Sequence, residues 1–417
     1  MNSTGNTVRK LGFSADNVKQ IEEAYRLGGT AEFSRILQEE VDGWKAVPLN
    51  IAVIGKTGSG KSSYINCARH VTAEDPEGAL VGITETTKII KSYPHPENNM
   101  LLYWDLPGVG TENFPRETYL DDIEFKSYDF YLILSCMRFT VHDLWLAEVI
   151  KNEGKKFFYV RTHSDSDVQN QKKSHPKASA GKSDEEILQE VRKDIIKRLQ
   201  LNEADQDNVF LIDCHEPSKF DYEKLQERLL KSLPELKREV YLNSLNPIRM
   251  LSKKILQEKL DALRGRALIT AMLSGLCGLV STPEVSAAAD LHLAIRTSTF
   301  YLEQLGLDQK SLAATAAAHG IDVDCLDKHV GLRIEDLSTS DCITSLYEQL
   351  GHQTPARSIE ELKSFIPIFG FLLNGPLSSL NTSNALLAIL QQMESVAHKV
   401  IDVCVDKVHQ KVLNESG

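Results

Sequence analysis

A chain of 417 residues that is 42% apolar and 25% charged reads as a globular protein of two or three domains, not a disordered or fibrous one. Its formal net charge of −11 argues against generic nucleic-acid binding, so no nucleic-acid partner is expected. The seven cysteines are scattered and form no CxxC pair, which points to free thiols in a reducing compartment and away from a disulfide frame or a zinc site.

The opening MNSTGNTVRK has no apolar signal core, and Asn2 excludes N-myristoylation, so a cytoplasmic chain is expected. Up to Pro48 the spacing predicts helices, with Val18, Ile21 and Tyr25 on one stripe and Phe33, Ile36, Leu37 and Val41 on the next. From 49 to 234 the rhythm changes. Short β-branched runs (LNIAVI, KIIKSY, LLYWD, DFYLILSC, KKFFYVRT, NVFLID) alternate with helix-like stretches, which predicts an α/β domain with a mostly parallel sheet covered on both faces. Gln169–Ser183 reads as an exposed loop, followed by a Ser183/Glu186 capping box for a helix carrying Ile187, Val191, Ile195 and Leu199.

From 235 to 417 strand signals fade. Ile248, Leu251, Ile255, Leu256, Leu260 and Leu263 form a helical stripe, opposite a basic face of Arg249, Lys253, Lys254, Lys259, Arg264 and Arg266 that reads as solvated. The most apolar stretches, Ala267–Val280 and Phe365–Leu373, fall short of the ~20 residues needed to cross a bilayer and read as buried helices, with a membrane-dipping element as the alternative. An all-helical domain built from 1–48 and 235–417 is therefore expected beside the α/β domain at 49–234.

Chemistry concentrates in the α/β part. Gly55-Lys-Thr57-Gly58-Ser59-Gly60-Lys61-Ser62 fits G-x-x-x-x-G-K-[ST] between a strand and a helix, the context of a phosphate-binding loop. Backbone amides and the helix start would face phosphate oxygens, Lys61 would neutralise β- and γ-phosphate charge, and Ser62 would ligate Mg²⁺, with Ser63 beside it. Asp105-Leu-Pro-Gly108, after the strand LLYW, is the expected second motif. Asp105 would hold Mg²⁺ through water, and the Gly108 amide would sense the γ-phosphate. Between them, Gly82-Ile-Thr84-Glu85-Thr86-Thr87 supplies a switch threonine for metal and γ-phosphate, with Thr87 chosen and Thr84 and Thr86 as alternatives.

Arg161-Thr162-His163-Ser164-Asp165 occupies the place of an [NT]-K-x-D guanine reader. The Asp165 carboxylate would accept two hydrogen bonds that adenine cannot donate, which favours GTP/GDP over ATP. His163 stands where lysine is expected, and Asp213-Cys214 is the expected last base-side loop in an uncommon form. Val109 holds the place where a Ras-type site carries the water-orienting glutamine, so another group must orient the attacking water or turnover is slow.

Together GKTGSGKSS, GITETT with YPHP, WDLPGVGTENFPRETYL, YDFYLILSCMRF, FFYVRTHSDSD and YLEQLGLDQKSLAATA resemble the interferon-inducible immunity-related GTPases, of the GKS type, over nearly the whole chain. The resemblance implies a Ras-like G domain joined to a helical domain made from both chain ends. It implies Mg·GTP-dependent self-assembly as a homodimer or homo-oligomer, contact with other family GTPases, and peripheral action at intracellular membranes in cell-autonomous innate defence. It also implies catalytic roles for Glu85, for Lys61 and Thr87, and for Arg138 reaching across a G-domain dimer. Two other readings stand beside it: a nucleotide-binding scaffold with negligible turnover, and a membrane-remodelling module that binds lipid through the basic helix and the apolar stretches.

Overall fold

The computed structural model describes residues 32, 34–39, 41–82, 89–110, 114–136, 139–199, 201, 203–278, 283–330 and 377–415, with isolated positions at 23, 339, 341, 344 and 345. Two compact units divide the chain, Trp44–Ser244 and a second made of Leu245–Gly417 with Met1–Gly43. Most of the N-terminal stripe residues, and all of Phe365–Leu373, lie outside the described residues; Ile36, Leu37 and Val41 are helical.

The first unit is an α/β sandwich around six strands: β1 (Leu49–Gly55), β2 (Lys91–His95), β3 (Asn98–Asp105), β4 (Phe130–Ser135), β5 (Lys156–Arg161) and β6 (Val209–Leu211). Their spatial order is β2-β3-β1-β4-β5-β6, parallel throughout except for the antiparallel β2–β3 pair. Strands covered on both faces read as continuous apolar runs, and β4 (FYLILS) is buried at every position. Alternation sorts β1 between two cores. Ala52 and Ile54 join Ile133, Leu146, Ile150 and Leu188 beneath α2 (Val141–Asn152) and α4 (Asp184–Arg198). The opposite face packs against α1 (Lys61–Arg69), where Tyr64 meets Tyr103 of β3 edge-on at 6.3 Å.

One expectation is overturned between α1 and α4. Gln169–Ser174 is not loop but the end of helix α3 (Ser164–Ser174). Its pattern is almost wholly polar, with Val168 buried as its apolar anchor, so periodicity hides it. Charge stabilises it instead, with Asp165 and Asp167 in the first turn and Lys172 and Lys173 in the last, each complementing the helix dipole. The expected capping box of α4 is present: Ser183 N donates to Glu186 Oε2 at 2.8 Å and Glu186 N donates to Ser183 Oγ at 3.3 Å.

The unit closes with α5 (Tyr222–Ser232) and α6 (Glu235–Ser244). Helix α6 was expected in the helical part, yet it packs on β3 and β1. Val240, Tyr241 and Leu242 are buried, Asn98 Nδ2 donates to Val240 O at 2.8 Å, and Tyr241 is hydrogen-bonded to Gln226 of α5. The absence of strand signal after 234 marked the end of the sheet, not of the domain.

Among the described residues the second unit is helical: α7 (Lys253–Gly278), α8 (Pro283–Leu305), α9 (Gln309–His319), α10 (Val323–Val330) and α11 (Leu377–Glu415). Helix α7 lies against α11 and α8 around Leu256, Leu260, Leu263, Tyr301, Leu390, Met393 and Val400. The basic face of α7 is only partly solvated, contrary to expectation. Lys259 is buried, and its Nζ donates to Gln304 O at 2.7 Å, satisfying a carbonyl in the last turn of α8. Arg264 reaches Glu394 at 2.7 Å, and the Arg266 guanidinium sits 4.8 Å over the Phe300 ring. Among the described residues, no helix is long and apolar enough to cross a membrane.

Candidate nucleotide site

The site forms where the carboxyl end of β1 turns into α1, at the edge of the sheet where α/β proteins bind ligands. The turn is closed by Ser59 N donating to Lys56 O at 3.0 Å, and Gly60 enters α1 in the left-handed region at φ 82°. A side chain at Gly60 would be strained there and would press on Thr162 at 3.2–3.3 Å, so glycine is required on both counts. Gly108 meets the same loop from the other side. A Cβ on it would lie 3.1 Å from Gly55 O, so the Asp105–Gly108 turn touches the phosphate loop backbone to backbone.

Lys61 is 6% exposed, and its ammonium spans the loop, donating to Gly55 O at 3.0 Å and Lys56 O at 3.3 Å. Ser62 Oγ donates to Asp105 Oδ2 at 3.1 Å, which sets a hydroxyl and a carboxylate side by side at the start of α1. Such an all-oxygen donor pair beside a phosphate cradle fits magnesium, a hard cation that keeps several waters. Among the described residues no cluster of three or more His, Cys, Asp or Glu forms an all-protein metal cage. A cavity of about 220 Å³ opens over these groups, lined by Thr57, Gly58, Gly60, Lys61, Ser62, Ser63, Val81, Gly82, Gly108 and His163.

The base-side loops lie beside it. Thr162, the first residue of the guanine-reader pattern, is 1% exposed: its N donates to Ser135 O at 2.9 Å and its Oγ1 to Ser59 O at 2.9 Å, so it ties the phosphate loop to the end of β4. His163 lines the cavity with φ 55°, a left-handed conformation that histidine tolerates better than most residues. Arg161 forks onto Asp167 with contacts of 2.8 and 2.6 Å, bracing the loop between β5 and α3. Asp165 is half-buried in the first turn of α3, outside the cavity lining. Asp213 is 5% exposed and its Oδ1 accepts from His215 N at 2.8 Å, so its carboxylate shapes its own loop. Hydrogen bonding to Cys67 of α1, with burial, pushes the Cys214 thiol above the usual thiol range.

Val109 packs against the core around Ile54 and Leu146 and is absent from the cavity lining, in keeping with its inability to orient water. Thr84, Glu85, Thr86, Thr87 and Arg138 lie outside the described residues. Sequence reasoning missed the Val81 wall and the Arg161–Asp167 clamp. The first carries no motif. The second was readable, since Asp167 sits in the first turn of a helix that the polar pattern concealed.

Comparison with known proteins gives the family. Residues 14–373 match the family model described as Interferon-inducible GTPase (IIGP). The chain is 32% identical over 387 residues to Interferon-inducible GTPase 5 of Bos taurus, covering 92% of this chain and 81% of the relative. It is 35% identical over 318 residues to Interferon-gamma-inducible GTPase 10 of Mus musculus, covering 76% and 74%. It is 36% identical over 307 residues to the T-cell-specific guanine nucleotide triphosphate-binding protein 2 of Mus musculus, covering 73% and 72%. With a phosphate loop, its Ser62–Asp105 pair and a cavity lined by the loop already in place, the conclusion is that the chain belongs to the interferon-inducible GTPase family.

Proposed function

We propose that this GTPase binds Mg·GTP in the cavity over α1, assembles with further copies through its nucleotide-bearing face, and hydrolyses GTP to GDP and phosphate. The observation that carries the reading is the Ser62–Asp105 pair 3.1 Å apart next to the buried Lys61 ammonium, all three gathered around one glycine-lined loop. Gly55, Thr57, Gly58, Ser59, Gly60, Lys61, Ser62 and Ser63 hold the phosphates, and the Gly108 amide marks the γ end. Asp165 reads the guanine edge with Thr162, His163, Asp213 and Cys214 shaping the loops around it. Magnesium held by Ser62, Thr87 and, through water, Asp105 would draw charge from the β- and γ-phosphates. Glu85 orients the attacking water in the role Val109 cannot fill, and Arg138 of a second copy stabilises transition-state charge.

Exposed apolar side chains at the cavity edge support assembly. Val81 lines the cavity at 54% exposure, next to Leu80 at 70%, which leaves apolar side chains at the cavity edge for a second copy to cover. Family membership extends the proposal to innate defence at intracellular membranes. The engaged cations of α7 argue against that helix as a free lipid-binding face. A second reading, a scaffold with negligible turnover, is favoured by the inward packing of Val109.

Titration calorimetry with GTP, GDP and ATP tests the ligand, with guanine nucleotides expected to bind in the presence of magnesium and ATP to fail. GTP hydrolysis measured across a protein concentration series tests the rest. Specific activity that climbs with concentration supports assembly-activated turnover, whereas a flat trace at the buffer rate selects the scaffold.

A further inference from the structure

Helix α1 presents Ser62, Asn66 and Arg69 at i, i+4 and i+7, a spacing that places them along one face. Ser62 belongs to the phosphate end. The other two are buried polar residues with no place among the nucleotide-binding motifs: Asn66 is 5% exposed and Arg69 1%. Neither is there for packing, since an apolar side chain would fill the space without a desolvation cost. Both spend hydrogen bonds on the stretch Glu77–Ala79, and Arg69 adds one to β2. Asn66 Nδ2 donates to Ala79 O at 2.8 Å and Asn66 Oδ1 accepts from Ala79 N at 2.7 Å, so the amide side chain grips both backbone groups of a single residue. Arg69 donates from Nη1 to Glu77 O at 2.8 Å and from Nε to Pro94 O at 2.9 Å, and its guanidinium lies over the Tyr93 ring. Two residues past Ala79 the chain becomes the cavity wall at Val81 and Gly82.

We infer that Asn66 and Arg69 are positioning residues for nucleotide retention: from the helix that carries Lys61 and Ser62 they pin the Glu77–Ala79 strap, and so hold the Val81–Gly82 wall against bound nucleotide. The inference rests on the guanine-nucleotide reading above and adds to it the element that sets how fast nucleotide leaves. Two buried side chain–backbone hydrogen bonds fix Ala79, so removing them should let the wall open more often and speed release about tenfold. Arg69→Lys keeps the charge but loses the fork that reaches two carbonyls at once, so a smaller acceleration, about threefold, is expected.

The test is stopped-flow displacement of N-methylanthraniloyl-GDP from the full chain, well below its melting temperature, for the unsubstituted protein, Asn66→Ala, Arg69→Lys and Ile187→Ala. Ile187 is a buried α4 residue of the core on the opposite sheet face, so its truncation lowers stability without touching the strap. Faster release in Asn66→Ala and Arg69→Lys, with Ile187→Ala unchanged despite a lower melting temperature, supports the inference. Release equal in all four proteins overturns it, and so does acceleration that simply tracks melting temperature across all variants. Should Asn66→Ala fail to fold, Arg69→Lys decides by the same criteria. If the unsubstituted protein retains no guanine nucleotide, the reading beneath the inference is what falls.

Discussion

The two compact units use buried polarity in opposite ways. In Trp44–Ser244 the buried polar groups of the site converge on a loop: Lys61, Thr162 and the Ser62–Asp105 pair all bond to, or stand beside, the turn from β1 into α1. In the helical unit the buried polar groups serve the helices themselves. Lys259 satisfies a carbonyl near the end of α8, Ser298 Oγ donates to Ala294 O within the same helix, and Ser274 pairs with Asp290 between α7 and α8. Preorganised polar groups around a backbone cradle make a binding site, whereas polar groups spent within and between helices make a scaffold. Substitutions should therefore separate binding from stability according to the unit they fall in.

The largest separation is expected at Lys61. Lys61→Ala removes the ammonium that in the proposed complex meets the polyphosphate, and should weaken GTP binding roughly a hundredfold to a thousandfold, with little change in the unfolding of the helical unit. Calorimetry and a thermal scan on the same sample check both halves. The reverse outcome is expected at Leu390, 1% exposed in the α7–α8–α11 core: Leu390→Ala should cost about 2–5 kcal/mol in urea unfolding while GTP affinity holds. A variant that lost both together would show the units to be energetically inseparable.

How much of this could be read from the sequence follows from the same contrast. The phosphate loop was legible because glycine is chemically conspicuous and its spacing is dictated by phosphate geometry. Strands β1, β4, β5 and β6 were legible because a doubly covered parallel sheet writes itself as nearly unbroken apolar runs, whereas the antiparallel β2 (KSYPH) is half-exposed and begins inside the KIIKSY run, at Lys91. Helix α3 was not, since its stability comes from terminal charges and one buried valine. Nor was the attachment of α6, because a helix that covers a sheet and one that joins a bundle show the same amphipathic stripe. Thr162 was found for a neighbouring reason: the guanine-motif spacing picked it out, but its hydroxyl faces Ser59 O.

Thr162 therefore offers a sharper cut within the first unit. Thr162→Val keeps the shape, removes the donor to Ser59 O, and should weaken GTP binding about tenfold through the phosphate loop, with guanine-over-adenine preference intact. Loss of that preference would give Thr162 a part in reading the base. His163 is the gentler partner of this experiment. His163→Lys restores a stem that packs along a base and should tighten GTP binding a few-fold, a gain held down because lysine is less at ease at φ 55°. Competition between GTP and GDP against a fluorescent analogue would resolve a change of that size.

The smallest effect belongs to the helical unit and is one of pH. His319 closes α9, where the carbonyl end of a helix would ordinarily favour imidazolium. Burial outweighs this and a hydrogen bond to the Arg249 backbone, with the Arg249 charge adding to the depression, so His319 titrates below the usual histidine value of 6.5. Its Nε2 is buried without a hydrogen-bond partner, which is what a neutral ring tolerates and a protonated one does not. The folded chain thus binds fewer protons than the unfolded chain once pH drops below 6.5. Stability from this group is complete above that value and drains away as pH falls toward the depressed folded value. Urea midpoints compared at neutral and mildly acidic pH should show the decline, and His319→Gln should flatten its share of it. An unchanged slope in that variant would assign the acid sensitivity to the carboxylates of the nucleotide-binding unit instead.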